Sequence, residues 1–550
     1  MSFDTYRSRS QRTRTTLLAR EPYCPPGLLG LTSSRYALFC ALIACLGSLT
    51  YGYDQGLLSV VLVEPQFLSR FYRIDEKTHP DSDGASASFW KGLLTASLVL
   101  GALVGSLNQG WIADKYSRKY SIVIAVAIFI IGSSVQTAAM SYDMLVIARF
   151  VGGTGVGMFS MVTPLYISEI SPAEFRGSLL VCEEFSIVVG VVIAFWTTYG
   201  TYHVDNEWAW RLPFVLQMVP AIMVGIGICF LPFSPRWLVS KGRDQEALMT
   251  LSKLRQLPTI DQRVQLEWLE IRAEVALHKE LNAERHPHLQ DGSRKSKIKL
   301  ELASWSDLFR KGCIKRTHIG VMLFFFQQFA GINALIYYSP TLLKSMSLDF
   351  NTTLIMAGVL NTIQLLGVGS TVYTMDRFGR RPLLLVGTFF IFTSLLIIAI
   401  LVGLYSHDWS SHKAQGWTAV AMLLLYMVAF GASWGPCAWT IPAEIFPLSL
   451  RAKGLGASVG SKWVWNFVIG LITPPLVQKT GYGTYVFFAT FCVIGGVWIY
   501  FCVPETKGKS LEEMDEIFGD NSAIAEQERR ERIERELFTS NEIGPQPKMK

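Results

Sequence analysis

Twelve apolar blocks of about twenty residues each most constrain how this 550-residue chain can fold. A helix rises about 1.5 Å per residue, so about twenty residues cross the roughly 30 Å hydrocarbon core of a bilayer. Charged residues make up only 17% of the chain, which is unusual for a soluble protein of this length. The pattern predicts an all-α membrane protein with twelve transmembrane helices. The blocks lie at about residues 36–63, 89–112, 120–140, 144–167, 177–200, 212–231, 317–343, 353–375, 382–405, 417–441, 454–477 and 485–503.

The positive charges indicate how the chain is oriented. Six arginines and only two acidic residues precede the first block, whereas the segment between blocks 1 and 2 carries five acidic and three basic residues. Cytoplasmic segments are enriched in Lys and Arg, so both termini are predicted to be cytoplasmic, in a multi-pass protein of the plasma membrane. The net charge of +7 follows from this bias. Nucleic-acid binding is not expected, because the basic residues flank the blocks and form no single patch.

An internal repeat divides the blocks into two halves. Acidic and basic residues at the cytoplasmic block ends recur in the same order, at offsets of 262 and 275 residues. Such a repeat predicts two six-helix bundles with a binding site between them at mid-depth. We interpret the recurring charges as structural and gating ionic networks. They are Asp114, Arg118, Glu169 and Arg176 in the first half, and Asp376, Arg380, Glu444 and Arg451 in the second.

The domain boundaries follow from the blocks and the repeat. We predict an amino-terminal cytoplasmic segment, a first bundle, a linker with short amphipathic helices, a second bundle and a cytoplasmic tail. Their ranges are residues 1–35, 36–231, 232–316, 317–503 and 504–550.

Six sequence motifs occur in order along the chain: Gly110–Arg118, Arg149 with the glycines after it, Pro235–Leu238, Gln327–Asn333, Asp376–Arg381 and Pro504–Gly508. Together they resemble the sugar porter family of the major facilitator superfamily. The resemblance extends over about residues 36–518. Within the family, the chain looks most similar to fungal hexose and pentose permeases. The resemblance implies proton-coupled import of a monosaccharide by alternating access, with the proton as coupling ion, no other cofactor, no metal, no enzymatic activity and a functional monomer.

Asp54 and Arg149 are charged residues that lie inside apolar blocks of the first half. Asp54 in block 1 and Arg149 in block 4 both lie on the order of 10 Å below the outer surface, counted at 1.5 Å per residue. Intramembrane charges are costly unless they are paired. The resemblance implies that Asp54 accepts the coupling proton and that Arg149 is its switch partner. A permanent structural ion pair, or an Asp54 in a watery vestibule, is the alternative.

Neutral amides and aromatic rings supply what a sugar requires, because its edge is polar and its faces are apolar. The resemblance assigns several of these side chains to sugar binding, although any single amide could instead join two helices. We expect Tyr337, Tyr338 and the helix-breaking Pro436 and Pro442 to act in gating. The predicted sugar contacts are Gln327, Gln328, Asn333, Asn361, Trp439 and Asn466.

Two charges depart from the family pattern near the expected cavity. Glu184, preceded by Glu183, replaces a glutamine in helix 5, and Lys462 replaces an asparagine in helix 11. They could pair across the cavity as a gate, or Lys462 could attract the carboxylate of a sugar acid. Alternatively, Lys462 faces away from the cavity. A third departure is Ser117, where the family has a loop glycine.

Three other functions remain open from the sequence. An Asp–Arg pair alone does not prove proton coupling, so a sugar uniporter is an alternative to a symporter. A sugar-acid–proton symporter is the second, because of Lys462. A sugar sensor without transport is less favoured, since only about 47 residues follow the last block.

Overall fold

The structure, a computed structural model, is all-α and membrane-spanning. It describes residues 23, 34–75, 85–172, 176–289, 293–310, 312–344, 349–409, 411–447, 450–507, 509, 511–519 and 522–540, so most of the predicted amino-terminal segment lies outside the described residues. Within the described part, twelve helical segments are long and apolar enough to cross a membrane, which confirms the predicted fold class. Large apolar side chains such as Phe230 and Phe501, each 78% exposed, cover the outer surface, as expected for contact with lipid.

The spans are numbered 1 to 12 in chain order. In the first half, they are Arg35–Val61, Ala85–Tyr116, Arg118–Thr137, Tyr142–Ile170, Arg176–Thr201, and the paired helices Trp208–Leu216 and Met218–Phe230. In the second half, they are the pair Ile314–Phe329 and Ile332–Lys344, then Phe350–Phe378, Arg380–Tyr405, the pair Lys413–Gly431 and Trp434–Ile445, Arg451–Thr480, and Gly483–Cys502. Span 7 therefore begins at Ile314, slightly before the predicted boundary at 317.

Spans 1 and 5 pack at backbone contact, which sets the wall of the first half. A Cβ atom on Gly52 would lie 1.9 Å from the carbonyl oxygen of Ile187, so only glycine fits. Small residues allow membrane helices to approach closely and gain van der Waals contact. The two halves meet chiefly where span 2 packs on span 11 and span 5 packs on span 8.

Spans 7 and 10 are interrupted near the middle of the second half. Span 7 turns at Gly331, whose φ of +97° favours glycine. In span 10 the break precedes Trp434; it lies before Pro436 and not at either proline. In a continuous helix, the ring of Pro436 would clash with the carbonyl of Ala432 four residues earlier, and the first helix of span 10 ends at Gly431, just before that residue. Pro442 lies within the continuing helix.

The internal repeat is visible in backbone conformation. Ser117 and Gly379 both precede a span and have φ values of +102° and +93°. The Ser117 hydroxyl accepts a hydrogen bond from the backbone N–H of Tyr120, at 3.2 Å. Ser117 thus occupies a glycine-type conformation, and this capping bond offsets part of the strain.

Short helices cover one face of the bundle, which we call the linker face. They follow span 6 and span 12. Glu284 and Arg285 of the helix Gln262–Arg285 form ion pairs with Arg529 and Glu526 of the tail helix Ser522–Ser540. The linker helices are Pro235–Ser240, Asp244–Arg255, Gln262–Arg285 and Arg294–Ser306, and the tail helices are Leu511–Phe518 and Ser522–Ser540.

A buried carboxyl group lies on the opposite face, just beyond span 1. Glu64 precedes the short helix Pro65–Arg70, and its side chain is 0% exposed. Neither carboxyl oxygen has a hydrogen-bond partner among the described residues. Burial raises the pKa of Glu64 from 4.5 to about 8, because the ionised form loses its hydration.

We expect Glu64 to make folding stability depend on pH. The pKa of Glu64 is higher in the folded than in the unfolded state. Its contribution to the free energy of unfolding is therefore fully present below pH 4.5 and is lost as the pH rises to about 8. The midpoint of thermal unfolding in detergent should therefore fall between about pH 5 and about pH 8. Glu64→Gln should flatten this decline, because the amide cannot ionise. The exposed Glu207 provides the control Glu207→Gln, and an unchanged slope in E64Q contradicts the prediction.

Candidate functional site

A polar cavity lies between the two halves at the level of the breaks in spans 7 and 10. Spans 1 and 5 line it from the first half, and spans 7, 8, 10 and 11 line it from the second. Its lining residues are Tyr51, Gln55, Glu184, Ile187, Val188, Val191, Gln327, Gln328, Ile332, Asn333, Ile336, Gln364, Phe430, Trp439 and Lys462. The predicted contacts Gln327, Gln328, Asn333 and Trp439 are thus brought together, whereas Asn361 and Asn466 are not among the lining residues.

The amides of span 7 form a connected chain beside its break. Gln327 Nε2 donates to the carbonyl oxygen of Trp434 at 3.0 Å, which joins span 7 to the second helix of span 10. Gln328 Nε2 donates to Gln327 Oε1 at 3.3 Å, and Asn333 Nδ2 donates to Gln328 Oε1. Each amide therefore orients the next, and the chain holds both sides of the break at the cavity wall.

Lys462 is enclosed by aromatic rings at the cavity. Its Nζ lies 4.4 Å from the ring centroid of Trp439, 5.3 Å from that of Tyr51 and 5.5 Å from that of Trp463. The ammonium donates to the Tyr51 hydroxyl at 3.1 Å. Cation–π contacts of this kind stabilise a desolvated ammonium. The alternative in which Lys462 faces away from the cavity is therefore wrong.

The two adjacent glutamates have different surroundings. Glu183 accepts a hydrogen bond of 2.6 Å from the Ser48 hydroxyl and so faces span 1, whereas Glu184 lines the cavity. Among the described residues, Glu184 and Lys462 form no ion pair within 4.0 Å. The hypothesis that they pair across the cavity is not borne out in this conformation, because the Lys462 ammonium is held by Tyr51 and by the rings.

Span 1 contributes two cavity residues that no motif predicted, Tyr51 and Gln55. Gln55 Nε2 donates to the Tyr51 hydroxyl at 3.1 Å and to the Tyr337 hydroxyl at 3.3 Å. Asn466 Nδ2 also donates to the Tyr337 hydroxyl, at 3.3 Å. The sequence signal was available, since two polar residues spaced by four lie on one helical face. Tyr337 thus joins spans 1, 7 and 11.

Asn361 lies beside the cavity wall without contributing to it. Its Nδ2 donates to the carbonyl oxygen of Ala357 in its own helix, at 3.0 Å. Gln364, three residues later and with a longer side chain, lines the cavity instead. The depth predicted for Asn361 was suitable, but its amide is directed onto its own helix.

Asp54 and Arg149 form an ion pair in the interior of the first half. Arg149 Nη1 lies 3.6 Å from Asp54 Oδ1, with exposed side-chain fractions of 2% and 0%. Neither Asp54 oxygen has a hydrogen bond among the described residues. A pair that is buried but not hydrogen-bonded gains little beyond Coulomb attraction for its desolvation cost. Such a pair is more easily separated than one with bidentate hydrogen bonds.

Tyr338 lies close enough to the Asp54–Arg149 pair to interact electrostatically with Arg149. It lies on the side of the cavity away from the linker face. Its hydroxyl donates to the carbonyl oxygen of Gly470 at 2.8 Å, and both Tyr337 and Tyr338 are only 2% exposed. Both tyrosines directly follow the lining residue Ile336 in span 7 and so lie on the side of the cavity away from the linker face. Their gating role stays a prediction.

The repeated charges form matching networks at the linker face. Arg118 contacts Glu169 at 2.9 Å and Asp114 at 2.9 Å, and Arg380 contacts Glu444 at 2.9 Å. None of these residues lines the cavity. Arg451 interacts electrostatically with Glu444; the side chains of Arg176 and Asp376 lie outside the described part.

Two six-helix halves around a polar cavity, with broken helices at its wall, define a secondary transporter of the major facilitator type. The family model described as "Sugar (and other) transporter" matches residues 40–518. The chain belongs to this sugar transporter family, whose members are transporters and not enzymes.

Curated relatives and solved structures agree with this assignment. The chain is 30% identical over 497 residues to a high-affinity glucose transporter of Kluyveromyces lactis, covering 87% of this chain and 84% of the relative. It is 28% identical to sugar transport protein 1 of Arabidopsis thaliana, covering 88% and 90%. A partially occluded, inward-open structure of the xylose transporter XylE from E. coli matches with a TM-score of 0.70 and 25% identity, covering 87% and 100%. The proton:xylose symporter XylE bound to 6-bromo-6-deoxy-D-glucose gives 0.70 and 27%, covering 88% and 99%.

Proposed function

We propose that this protein imports a monosaccharide together with a proton by alternating access, at the plasma membrane and with both termini in the cytoplasm. The observation that carries the proton coupling is the buried Asp54–Arg149 pair at 3.6 Å. Protonation of Asp54 removes the attraction that compensates the burial of Arg149, so the pair is a natural site at which proton binding changes conformation. The coupling ion is the proton, and no other cofactor is needed.

Unused hydrogen-bonding capacity supports a sugar as substrate. Gln364 Oε1 in the cavity wall and Asn466 Oδ1 next to it are buried and have no partner among the described residues. A monosaccharide presents several hydroxyl groups that donate to such oxygens, and its apolar face suits the ring of Trp439. Two solved structures of the same architecture are both of XylE, which is named as a xylose transporter and as a proton:xylose symporter.

Uptake of labelled sugars by a transport-deficient cell tests the proposal. Cells that express this chain should accumulate a hexose or pentose above its external concentration, and a protonophore should reduce accumulation to equilibrium. Vector-only cells are the control. Accumulation that persists after the proton gradient has collapsed contradicts symport. Equilibration without accumulation under any gradient identifies a uniporter.

Sugar-acid–proton symport is a second candidate, because the Lys462 ammonium lies at the cavity and forms no ion pair within 4.0 Å among the described residues. Glu184 and Glu183 interact with it only electrostatically. A hydrogen bond to a charged group contributes about 1.5–3 kcal/mol, which corresponds to a factor of about ten or more in affinity.

We expect Lys462→Asn to reduce inhibition of uptake by uronic acids about tenfold relative to inhibition by neutral sugars. Glu184→Gln is the matched variant and should shift the preference the other way, because it removes a negative charge from the same cavity. Competition assays with glucose and glucuronate measure both. An unchanged preference in K462N refutes recognition of a carboxylate by Lys462.

A further inference from the structure

We propose that Tyr51, Gln55 and Tyr337 form a hydrogen-bonded relay through which the Asp54–Arg149 pair changes the sugar affinity of the cavity. The inference rests on the proposed proton coupling. It assigns these side chains as positioning residues that connect the proton site to the sugar site.

The relay is continuous and crosses between the halves. Gln55 Nε2 bridges the hydroxyl groups of Tyr51 and Tyr337, at 3.1 Å and 3.3 Å. At one end, Tyr51 accepts from Lys462 Nζ at 3.1 Å, and at the other, Tyr337 accepts from Asn466 Nδ2 at 3.3 Å. Span 1 of the first half is thereby bonded to spans 7 and 11 of the second. The exposed fractions of Tyr51, Gln55 and Tyr337 are 4% or less, so water competes little for these bonds.

The relay and the proton site share one helical turn. Asp54 follows Tyr51 by three residues and directly precedes Gln55, so all three move together with span 1. Arg149 interacts electrostatically with Asp54 and with both Tyr337 and Tyr338. From span 5, Glu183 and Glu184 interact electrostatically with Tyr51, so these are the other acidic groups that face the relay. The ion pair is therefore connected to the relay in two ways. Asp54 shares the backbone of span 1 with Tyr51 and Gln55, and the charge of Arg149 acts on the Tyr337 hydroxyl.

The arrangement gives protonation a route to the cavity. Neutralising Asp54 weakens the attraction between spans 1 and 4 and changes the field at Tyr337. Tyr51 and Gln55 belong to span 1 and line the cavity, so any displacement of span 1 repositions them. Gln55 also passes this displacement to Tyr337, to which it is hydrogen-bonded. Coupling free energy between two sites is reciprocal, so sugar binding must in turn change the proton affinity of Asp54.

The test is the pH dependence of the sugar KM, measured with the full chain in proteoliposomes. In the wild type we expect the KM to change about tenfold between about pH 5 and about pH 7.5, within the usual range of allosteric coupling. Tyr51→Phe and Gln55→Met should reduce this change to about twofold or less; the readout is the ratio of the KM values at the two pH values, not the KM at either one. Tyr426→Phe is the matched control, because the buried Tyr426 hydroxyl donates to the carbonyl oxygen of Ala330 within the second half only.

Further measurements separate a relay from a merely structural role. In a relay, Gln55→Met combined with Tyr337→Phe should lose no more pH dependence than either single variant. For a variant too weak in transport, the pH dependence of its sugar-induced thermal shift in detergent gives the same information. Tyr51→Phe and Gln55→Met with wild-type pH dependence overturn the relay. A wild-type protein without proton-driven accumulation overturns the proposed coupling itself, which is a different result.

Discussion

Asp54→Asn should abolish concentrative sugar uptake and reduce the accumulation ratio to about one. Asparagine has nearly the same shape as the protonated aspartic acid but cannot release a proton. The variant therefore keeps the neutral form at this position, and the proton gradient can no longer drive a conformational change. Sugar binding should be partly retained, because Asp54 does not line the cavity. Accumulation of labelled sugar measures the first effect, and counterflow exchange measures the second.

The control for this variant must address the arginine that it leaves unpaired. Removing one partner of a buried pair costs about 3–5 kcal/mol, because the other charge remains without compensation. The double variant Asp54→Asn with Arg149→Gln removes both charges and should recover protein abundance without recovering accumulation. Asp143→Asn changes an exposed carboxylate at the start of span 4, with a side-chain exposure of 73%, and should accumulate sugar normally. Full concentrative uptake by the Asp54→Asn variant refutes the assigned role.

The membrane architecture could be predicted because it depends on local quantities. Hydropathy over about twenty residues specified the spans, and the repeat of helix-end charges specified the two halves. Counting residues along two helices placed Asp54 and Arg149 at one depth, and the structure brings them to 3.6 Å. In a membrane, depth along a span follows from residue number, so this kind of prediction is robust.

The direction in which a residue faces around its helix axis was harder to predict than its depth. Asn361 and Gln364 lie near the same depth, yet only Gln364 lines the cavity. Tyr51 and Gln55 belong to no family motif, and their contacts with Lys462 and Tyr337 join residues that are 282 or more positions apart. Such contacts depend on how the two halves pack, which no local pattern encodes. The charges Glu184 and Lys462 were expected at the cavity, but Lys462 is held by aromatic rings, which periodicity does not reveal.

The break in span 7 combines local chemistry and packing at the proposed sugar site. Gly331 permits the turn through its positive φ, and the amides on either side of it are then free to bond across the break. Asn333 lies beyond the break and donates to Gln328 before it. The predicted sugar contacts of span 7 therefore depend on one another for orientation, and a substitution at one of them affects the others.

Gln328→Ala should raise the KM for sugar by about 10- to 100-fold, with a much smaller change in maximal rate. The variant removes one amide from the cavity and leaves Asn333 without its acceptor, and each unsatisfied buried group costs about 1–3 kcal/mol.

Gln327→Ala should behave differently, because Gln327 also joins span 7 to the carbonyl oxygen of Trp434 in the broken span 10. Its loss loosens an element expected to move, so both KM and maximal rate should change. Initial rates of uptake over a range of sugar concentrations measure the two parameters. Gln136→Ala is the control, since Gln136 is a buried amide of span 3 that bonds only within the first half. If Q327A and Q328A change KM and maximal rate in the same proportion, the amides do not divide these roles; if neither changes KM, span 7 does not bind the sugar.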